Sequence, residues 1–208
     1  TGDDHRADDD LFDVDADVFC GSFAFTYNGN FMNFDYKLMQ YMNATIPAYG
    51  NAQKPMWVTE AGLKLVFANG VTNPTAEQLH GQAPYIVTST MQSLAKGTDR
   101  HFWFVLAPYI EVGGDFGTFS PSLEPYPTVA AEAVMTNELG RGRYIGKPDG
   151  LPSSCGGALF DTGRGMTAVL WSENWSRKTI KYTFASEYPV IRTDMMGGRT
   201  VIEPVDGM

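Results

Sequence analysis

Residues 54–62 decide the fold of the chain, and they read Lys-Pro-Met-Trp-Val-Thr-Glu-Ala-Gly. The apolar run predicts a short strand that ends on the carboxylate of Glu60, and Gly62 lets the backbone turn away after it. Because side chains alternate along a strand, we expect Met56, Val58 and Glu60 on one face. The C-terminal ends of parallel strands carry the functional groups of α/β folds. The segment therefore predicts Glu60 as a candidate catalytic residue.

Strands and helices alternate on both sides of this segment. Strands are predicted over 17–27, 56–60 and 101–106, and helices over 34–48, 73–97 and 128–139. Pro74 is expected in the first turn of the second helix, and Pro84 predicts a kink or a split within it. A loop rich in glycine and proline precedes the last helix, over 107–126. This order predicts parallel strands joined by right-handed crossovers.

The pattern of the sequence changes after about Arg143. Short strands separated by turn signals are predicted over 158–160, 166–171, 178–184, 190–193 and 199–202. We therefore divide the chain into residues 1–143, which carry the β/α units, and residues 144–208, a small antiparallel β domain. Three β/α units do not close a sheet, since an eight-unit barrel takes about 250 residues. The first part is thus either a small open α/β layer or the last part of a barrel.

Residues 54–62 resemble the nucleophile segment of retaining glycoside hydrolases with the (β/α)8 barrel, the clan A type. In that superfamily the glutamate that ends the seventh strand is the catalytic nucleophile, which implies this role for Glu60. A tryptophan of the eighth strand commonly packs beneath the sugar, which implies Trp103. Residues 169–172 and 193–198 resemble a β-sandwich that often follows the barrel. The resemblance implies an α/β part followed by an all-β part: the C-terminal portion of a TIM barrel, then a small antiparallel β-sandwich.

The second carboxylate of this mechanism has no clear match in the chain. In the family it is a glutamate that follows an asparagine at the end of the fourth strand, whereas Asn137 and Glu138 lie in the last predicted helix. Retaining enzymes hold the two carboxylates about 5–5.5 Å apart. Glu111 is one candidate partner, but the simplest expectation places the acid/base upstream, in an N-terminal part of the same polypeptide that is missing here. Tyr27 is a weaker substitute for the His or Tyr that touches the nucleophile in the family.

Composition and motifs limit the other function classes. The chain has 208 residues and a formal net charge of −9, which argues against nucleic acid or an anionic membrane as main partner. No apolar run approaches the length of a membrane span. Zinc, nucleotide and serine-nucleophile motifs are absent, and the aspartates over 13–17 lack the glycine and glutamate of a calcium loop. We therefore expect no metal and no cofactor. Cys20 and Cys155 are either free thiols or a disulfide.

Three interpretations of the sequence remain open. The chain is the C-terminal part of a glycoside hydrolase that acts on a carbohydrate substrate and is inactive by itself. Alternatively, it is a non-catalytic carbohydrate-binding or structural protein that retains the same scaffold. A third interpretation, an unrelated small α/β domain with a β-sandwich, predicts a closed, self-sufficient sheet.

Overall fold

The computed structural model describes residues 19–26 as backbone and residues 55–67, 73–111, 113–172 and 182–205 with their side chains. The strands are β1 Phe19–Thr26, β2 Met56–Val66, β3 Arg100–Trp103, β4 Ile110–Glu111, β5 Gly114–Asp115, β6 Arg143–Gly146, β7 Cys155–Asp161, β8 Met166–Ser172, β9 Val190–Thr193 and β10 Arg199–Ile202. The helices are α1 Ala76–Ala95 and α2 Pro127–Leu139. The helix predicted over 34–48 and most of the strand predicted over 178–184 lie outside the described residues.

Three parallel strands form the centre of the fold. Strand β1 pairs with β2, with Ser22 opposite Glu60, and β2 pairs with β3, with Ala61 opposite Trp103. This pairing in sequence order confirms the prediction of a parallel sheet. Among the described residues, β1 and β3 each pair along one edge, so the sheet is a half-barrel that these residues do not close.

Strand β2 does not end at Glu60, as the sequence predicted, but continues to Val66. Residues of β2 up to Lys64 pair with β1. Leu65 and Val66 pair antiparallel with β5, and Leu65 lies opposite Asp115. Strand β5 and its partner β4 form a hairpin within the predicted loop over 107–126. These extra backbone hydrogen bonds extend the strand, and the prediction that the chain turns away at Gly62 is wrong.

A β-bulge in β2 changes which side chains share a face. Two residues, Thr59 and Glu60, lie opposite a single residue in each neighbouring strand. The buried positions accordingly step from Val58 to Ala61 rather than to Glu60. The bulge adds one residue and reverses the alternation beyond it. The expectation that Met56, Val58 and Glu60 share a face is therefore wrong.

Helix α1 begins one residue after a capping box at Thr75. The Thr75 hydroxyl accepts from the Gln78 backbone N–H at 3.2 Å, and the Gln78 side chain accepts from the Thr75 N–H at 2.8 Å. Pro74 therefore precedes the cap instead of lying in the first turn. The helix also runs without a break through Pro84, because the residues beside it, Ala83 and Tyr85, are fully buried. Their burial offsets the backbone hydrogen bond that proline cannot donate.

The all-β part consists of two small antiparallel sheets, β6-β7-β8 and the hairpin β9–β10. Ala158 and Phe160 of β7 form a common buried cluster with Met91 of α1 and Leu139 of α2. One face of the three-stranded sheet thus packs directly on the helices. Cys155, at the start of β7, is a half-buried free thiol. Within the described residues, neither helix is long and apolar enough to cross a bilayer.

Candidate functional site

The two faces of the β2–β3 pair have different surroundings. Val58 and Ala61 are fully buried on the face that α1 covers, and Trp103 lies on the same face opposite Ala61. The Trp103 ring packs edge-on against Tyr85 of α1, with ring centroids 5.8 Å apart. This helix face is a packed layer between the sheet and the helices.

Glu60 lies on the other face, which we call the open face of the sheet. Its side chain is exposed, as is that of Thr59 in the same bulge. On the same face, nearer to the start of β2, the Trp57 ring contacts Phe102 of β3, with ring centroids 6.0 Å apart. Phe102 is 46% exposed. The bulge thus directs the carboxylate away from the helices and towards open space.

The structure does not bring Glu60 and Trp103 together. The resemblance implies that both line the sugar site, but Trp103 packs against the buried cluster of Ala83, Ile86 and Ala131. Phe102 is the aromatic side chain of β3 that shares the open face with Glu60. Strand alternation alone predicts that Phe102 and Trp103 face opposite sides. What the sequence did not reveal was the bulge, which decides the side taken by Glu60.

On the C-terminal side of Glu60, the segment after β3 packs against β2. The Phe104 backbone N–H donates to the Ala61 carbonyl at 3.0 Å. The Phe104 ring contacts Phe116 and Tyr109 edge-on, at 5.6 and 5.1 Å between centroids. Gly62, which shares the face of Glu60, lies directly beneath the Phe104 carbonyl and the Phe116 ring. An aromatic cluster therefore borders the open face on the C-terminal side of Glu60.

A buried carboxylate holds this segment in place. Asp115 is 1% exposed, and its Oδ1 accepts the backbone N–H groups of Tyr109 and Gly117 at 3.1 and 2.8 Å. The Tyr126 hydroxyl donates a longer hydrogen bond to its Oδ2, at 3.5 Å. Burial, together with the charge and hydrogen bond of Asp115, raises the pKa of Tyr126 to about 12. The phenol is therefore protonated and acts as a donor at neutral pH.

The helices hold the same segment through a second polar contact. Buried Gln82 of α1 donates from Nε2 to the Gly117 carbonyl at 3.2 Å, and its Oε1 accepts from Thr128 of α2 at 2.6 Å. Because a buried polar group left unsatisfied is costly, these bonds fix one conformation of the segment. The segment after β3, which borders Glu60 on its C-terminal side, is thus held in place by both helices.

His101 of β3 is an ionisable group shielded within the fold, and it lies on the helix face opposite Val58. Both ring nitrogens are shielded from solvent. Burial lowers the pKa of His101 to about 4, so the imidazole is neutral at physiological pH. Its position on the helix face separates it from Glu60.

The remaining candidates from the sequence lie elsewhere. Glu111 ends β4 in the hairpin over 110–115 and is half-buried. Glu138 lies in α2, where ion pairing and hydrogen bonding with Arg199 hold its pKa below the usual range. This contact ties the hairpin β9–β10 to α2. Tyr27 lies outside the described residues.

A groove of about 570 Å³ lies between α2, β8 and β9, and its lining includes neither Glu60 nor Trp103. In the part of the chain that the structure describes, no three His, Cys, Asp or Glu side chains are grouped to hold a metal ion. The open face around Glu60 is therefore the candidate functional site.

The comparisons with known proteins agree with this fold. No protein-family model matches the chain, and no curated protein matches its sequence. A solved structure does match: a family 39 glycoside hydrolase from the gut symbiont Bacteroides cellulosilyticus WH2, with a TM-score of 0.51 and 14% sequence identity. The match covers 82% of this chain and 36% of that chain. The half-barrel and its small antiparallel sheets are thus similar in fold to part of that glycoside hydrolase.

Proposed function

We propose that the chain carries the nucleophile segment of a retaining glycoside hydrolase, with Glu60 as the nucleophile. The observation that supports this most is the position of Glu60. It is an exposed carboxylate on the open face of a parallel half-barrel, in a fold similar to part of a glycoside hydrolase. Residues 1–143 then correspond to the last three β/α units of the barrel, and residues 144–208 to a β-sandwich accessory domain.

In this mechanism a Glu60 carboxylate oxygen attacks the anomeric carbon as the bond from that carbon to the leaving oxygen breaks. A second carboxylic acid gives its proton to the leaving oxygen, which departs as an alcohol. That second group then removes a proton from water, the water oxygen attacks the anomeric carbon, and the bond to Glu60 breaks. The sugar keeps its original anomeric configuration, and both carboxyl groups return to their starting states.

The sugar in this proposal lies against the open face. Phe102 and Trp57 present apolar ring surface beside Glu60, which suits the apolar face of a pyranose. Trp103 then lies on the helix face of the sheet, where it packs against Tyr85 and does not touch the sugar. Tyr27 stays the candidate sugar contact that follows the first strand. In this proposal the acid/base comes from sequence outside these 208 residues. Glu111 is the alternative if the acid/base lies within them.

The test uses the longest natural polypeptide that contains this sequence and a panel of 4-nitrophenyl glycosides. We expect hydrolysis that Glu60→Gln abolishes, because the amide is nearly isosteric but is not a nucleophile. Azide added to Glu60→Ala should restore part of the rate and give a glycosyl azide of inverted configuration. Glu203→Gln, at an exposed glutamate of the C-terminal segment, is the matched control and should retain full activity.

Two results would redirect the proposal. Binding of a glycoside without any Glu60-dependent hydrolysis would favour the non-catalytic carbohydrate-binding alternative. We expect the 208-residue chain alone to hydrolyse no aryl glycoside. If it does so with dependence on Glu60, the acid/base lies within it, and Glu111→Gln is the first variant to assay.

A further inference from the structure

Strand β2 places a second polar side chain beside Glu60. Thr59 and Glu60 are both exposed. Val58 before them and Ala61 after them are fully buried on the helix face. Side chains alternate along a strand, so Thr59, which is next to Val58, takes the open face. Glu60 takes the same face because it is next to Ala61. The bulge therefore puts two consecutive side chains on one face, which a regular strand does not do.

The exposure of Thr59 does not come from a free edge of the sheet. Strand β2 pairs with β1 along one edge and with β3 along the other, and both pairings resume beyond the bulge. In β1, Gly21 lies opposite Val58 and the next residue, Ser22, lies opposite Glu60. Thr59 is thus exposed on the face of a strand that is paired on both sides.

A carboxylate, a hydroxyl and an aromatic ring lie at one level of the open face. Phe102 is the single residue of β3 between the positions opposite Val58 and Ala61, so it lies level with the bulge. A pyranose has an apolar face that suits such a ring and a rim of hydroxyl groups that pair with polar side chains. The Thr59 hydroxyl both donates and accepts, so it pairs with a sugar hydroxyl in either direction.

We propose that Thr59 determines specificity at the Glu60 site by forming a hydrogen bond with one ring hydroxyl of the bound sugar. This inference rests on the proposed function, because it takes Glu60 as the group that attacks the anomeric carbon. Neighbouring Cα atoms are about 3.8 Å apart, so a sugar held at the carboxylate presents the hydroxyl groups nearest its anomeric carbon to Thr59. A sugar that lacks the contacted hydroxyl leaves the threonine oxygen without that partner and is a poorer substrate.

The experiment uses the longest natural polypeptide that contains this chain, the best 4-nitrophenyl glycoside of the panel and its monodeoxy analogues, one for each ring hydroxyl. Thr59→Val keeps the β-branched shape and removes the hydroxyl. It should lower kcat/KM about fivefold on the parent glycoside, as expected for the loss of one neutral hydrogen bond. On one deoxy analogue the same substitution should change kcat/KM by less than about twofold, since the contact is already absent there. Thr59→Ser should retain the discrimination, and Thr200→Val, at an exposed threonine of β10, should leave it unchanged.

Equal losses on the parent glycoside and on every deoxy analogue would overturn the inference, because Thr59 would then support the fold or Glu60 instead of the sugar. An unchanged kcat/KM on the parent glycoside would overturn it too. Failure of the proposed function is a separate result, seen as hydrolysis that does not depend on Glu60 or as none. Binding of the 4-nitrophenyl glycosides is then measured by saturation-transfer NMR. A sugar signal that weakens in Thr59→Val but not in Thr200→Val supports the contact, and equal signals, or none from the wild type, overturn it.

Discussion

The carbonyl oxygen of Phe104 occupies the space that a Cβ atom on Gly62 would take. The Phe104 N–H also donates to Ala61, so the chain after β3 passes across β2 at the residues that follow Glu60. Glycine at position 62 therefore permits a close backbone approach within a strand rather than a turn. This contact connects the candidate nucleophile to the segment that borders it.

Gly62→Ala should destabilise the fold and disturb the site. The new methyl group overlaps the Phe104 carbonyl and lies 3.1 Å from the Phe116 ring, so the backbone after β3 has to move. We expect a loss of about 1–3 kcal/mol in the free energy of unfolding, measured by urea denaturation. Val66→Ala, at an exposed residue near the end of the same strand, should cost less than about 1 kcal/mol. An unchanged stability in Gly62→Ala would show that the segment moves freely.

Acidification should destabilise the protein through His101. Its pKa falls from the ordinary 6.5 to about 4 in the folded state because burial disfavours the imidazolium. The unfolded chain therefore binds more protons between these values, and stability is lost as the pH falls from about 6.5 through about 4. The contribution is on the order of 3 kcal/mol. Urea denaturation of the wild type and of His101→Gln at pH 7 and pH 4 should show a smaller pH dependence in the variant. The same dependence in both would contradict this account.

Phe160→Ala should weaken the all-β part and the helices together. The ring is 1% exposed and packs in one cluster with Met91 and Leu139 of the two helices. We expect a cost of about 3–5 kcal/mol and one lowered thermal transition. Met166→Ala, in the adjacent strand at 76% exposure, should change the stability by about 0.5 kcal/mol or less. A lowered transition for the β-sheet alone, with the helices unaffected, would argue against a shared core.

Asp115→Ala should cost more than Tyr126→Phe. The alanine variant leaves the N–H groups of Tyr109 and Gly117 without their buried acceptor, for a loss of about 3 kcal/mol. The phenylalanine variant removes a single long hydrogen bond, for a loss of about 1 kcal/mol or less. Denaturation curves of both variants test the order. Equal losses would mean that the phenol, and not the two backbone groups, holds the carboxylate.

Local patterns in the sequence identified the described helices and most strands, but not β4, β5 or β6. The apolar runs at β2 and β3 predicted parallel strands, and the Pro127 and Gly140 signals placed α2 correctly. The helical stripe of α1 was also correct, although its cap lies at Thr75 and Pro84 does not interrupt it. These features depend on neighbouring residues, whose propensities act over a few positions of the chain.

The sequence by itself determined parallel strands alternating with helices and followed by short antiparallel strands, and it singled out Glu60 as a carboxylate on β2. Only the tertiary structure decided which face Glu60 occupies and which aromatic ring of β3 shares that face. The physical reason is the bulge at Thr59 and Glu60, which arises from strand pairing with β1 and β3. One extra residue reverses the side-chain alternation, and no pattern within the strand itself records it. Pairing between strands distant in sequence thus decided that Glu60 shares a face with Phe102 and not with Trp103.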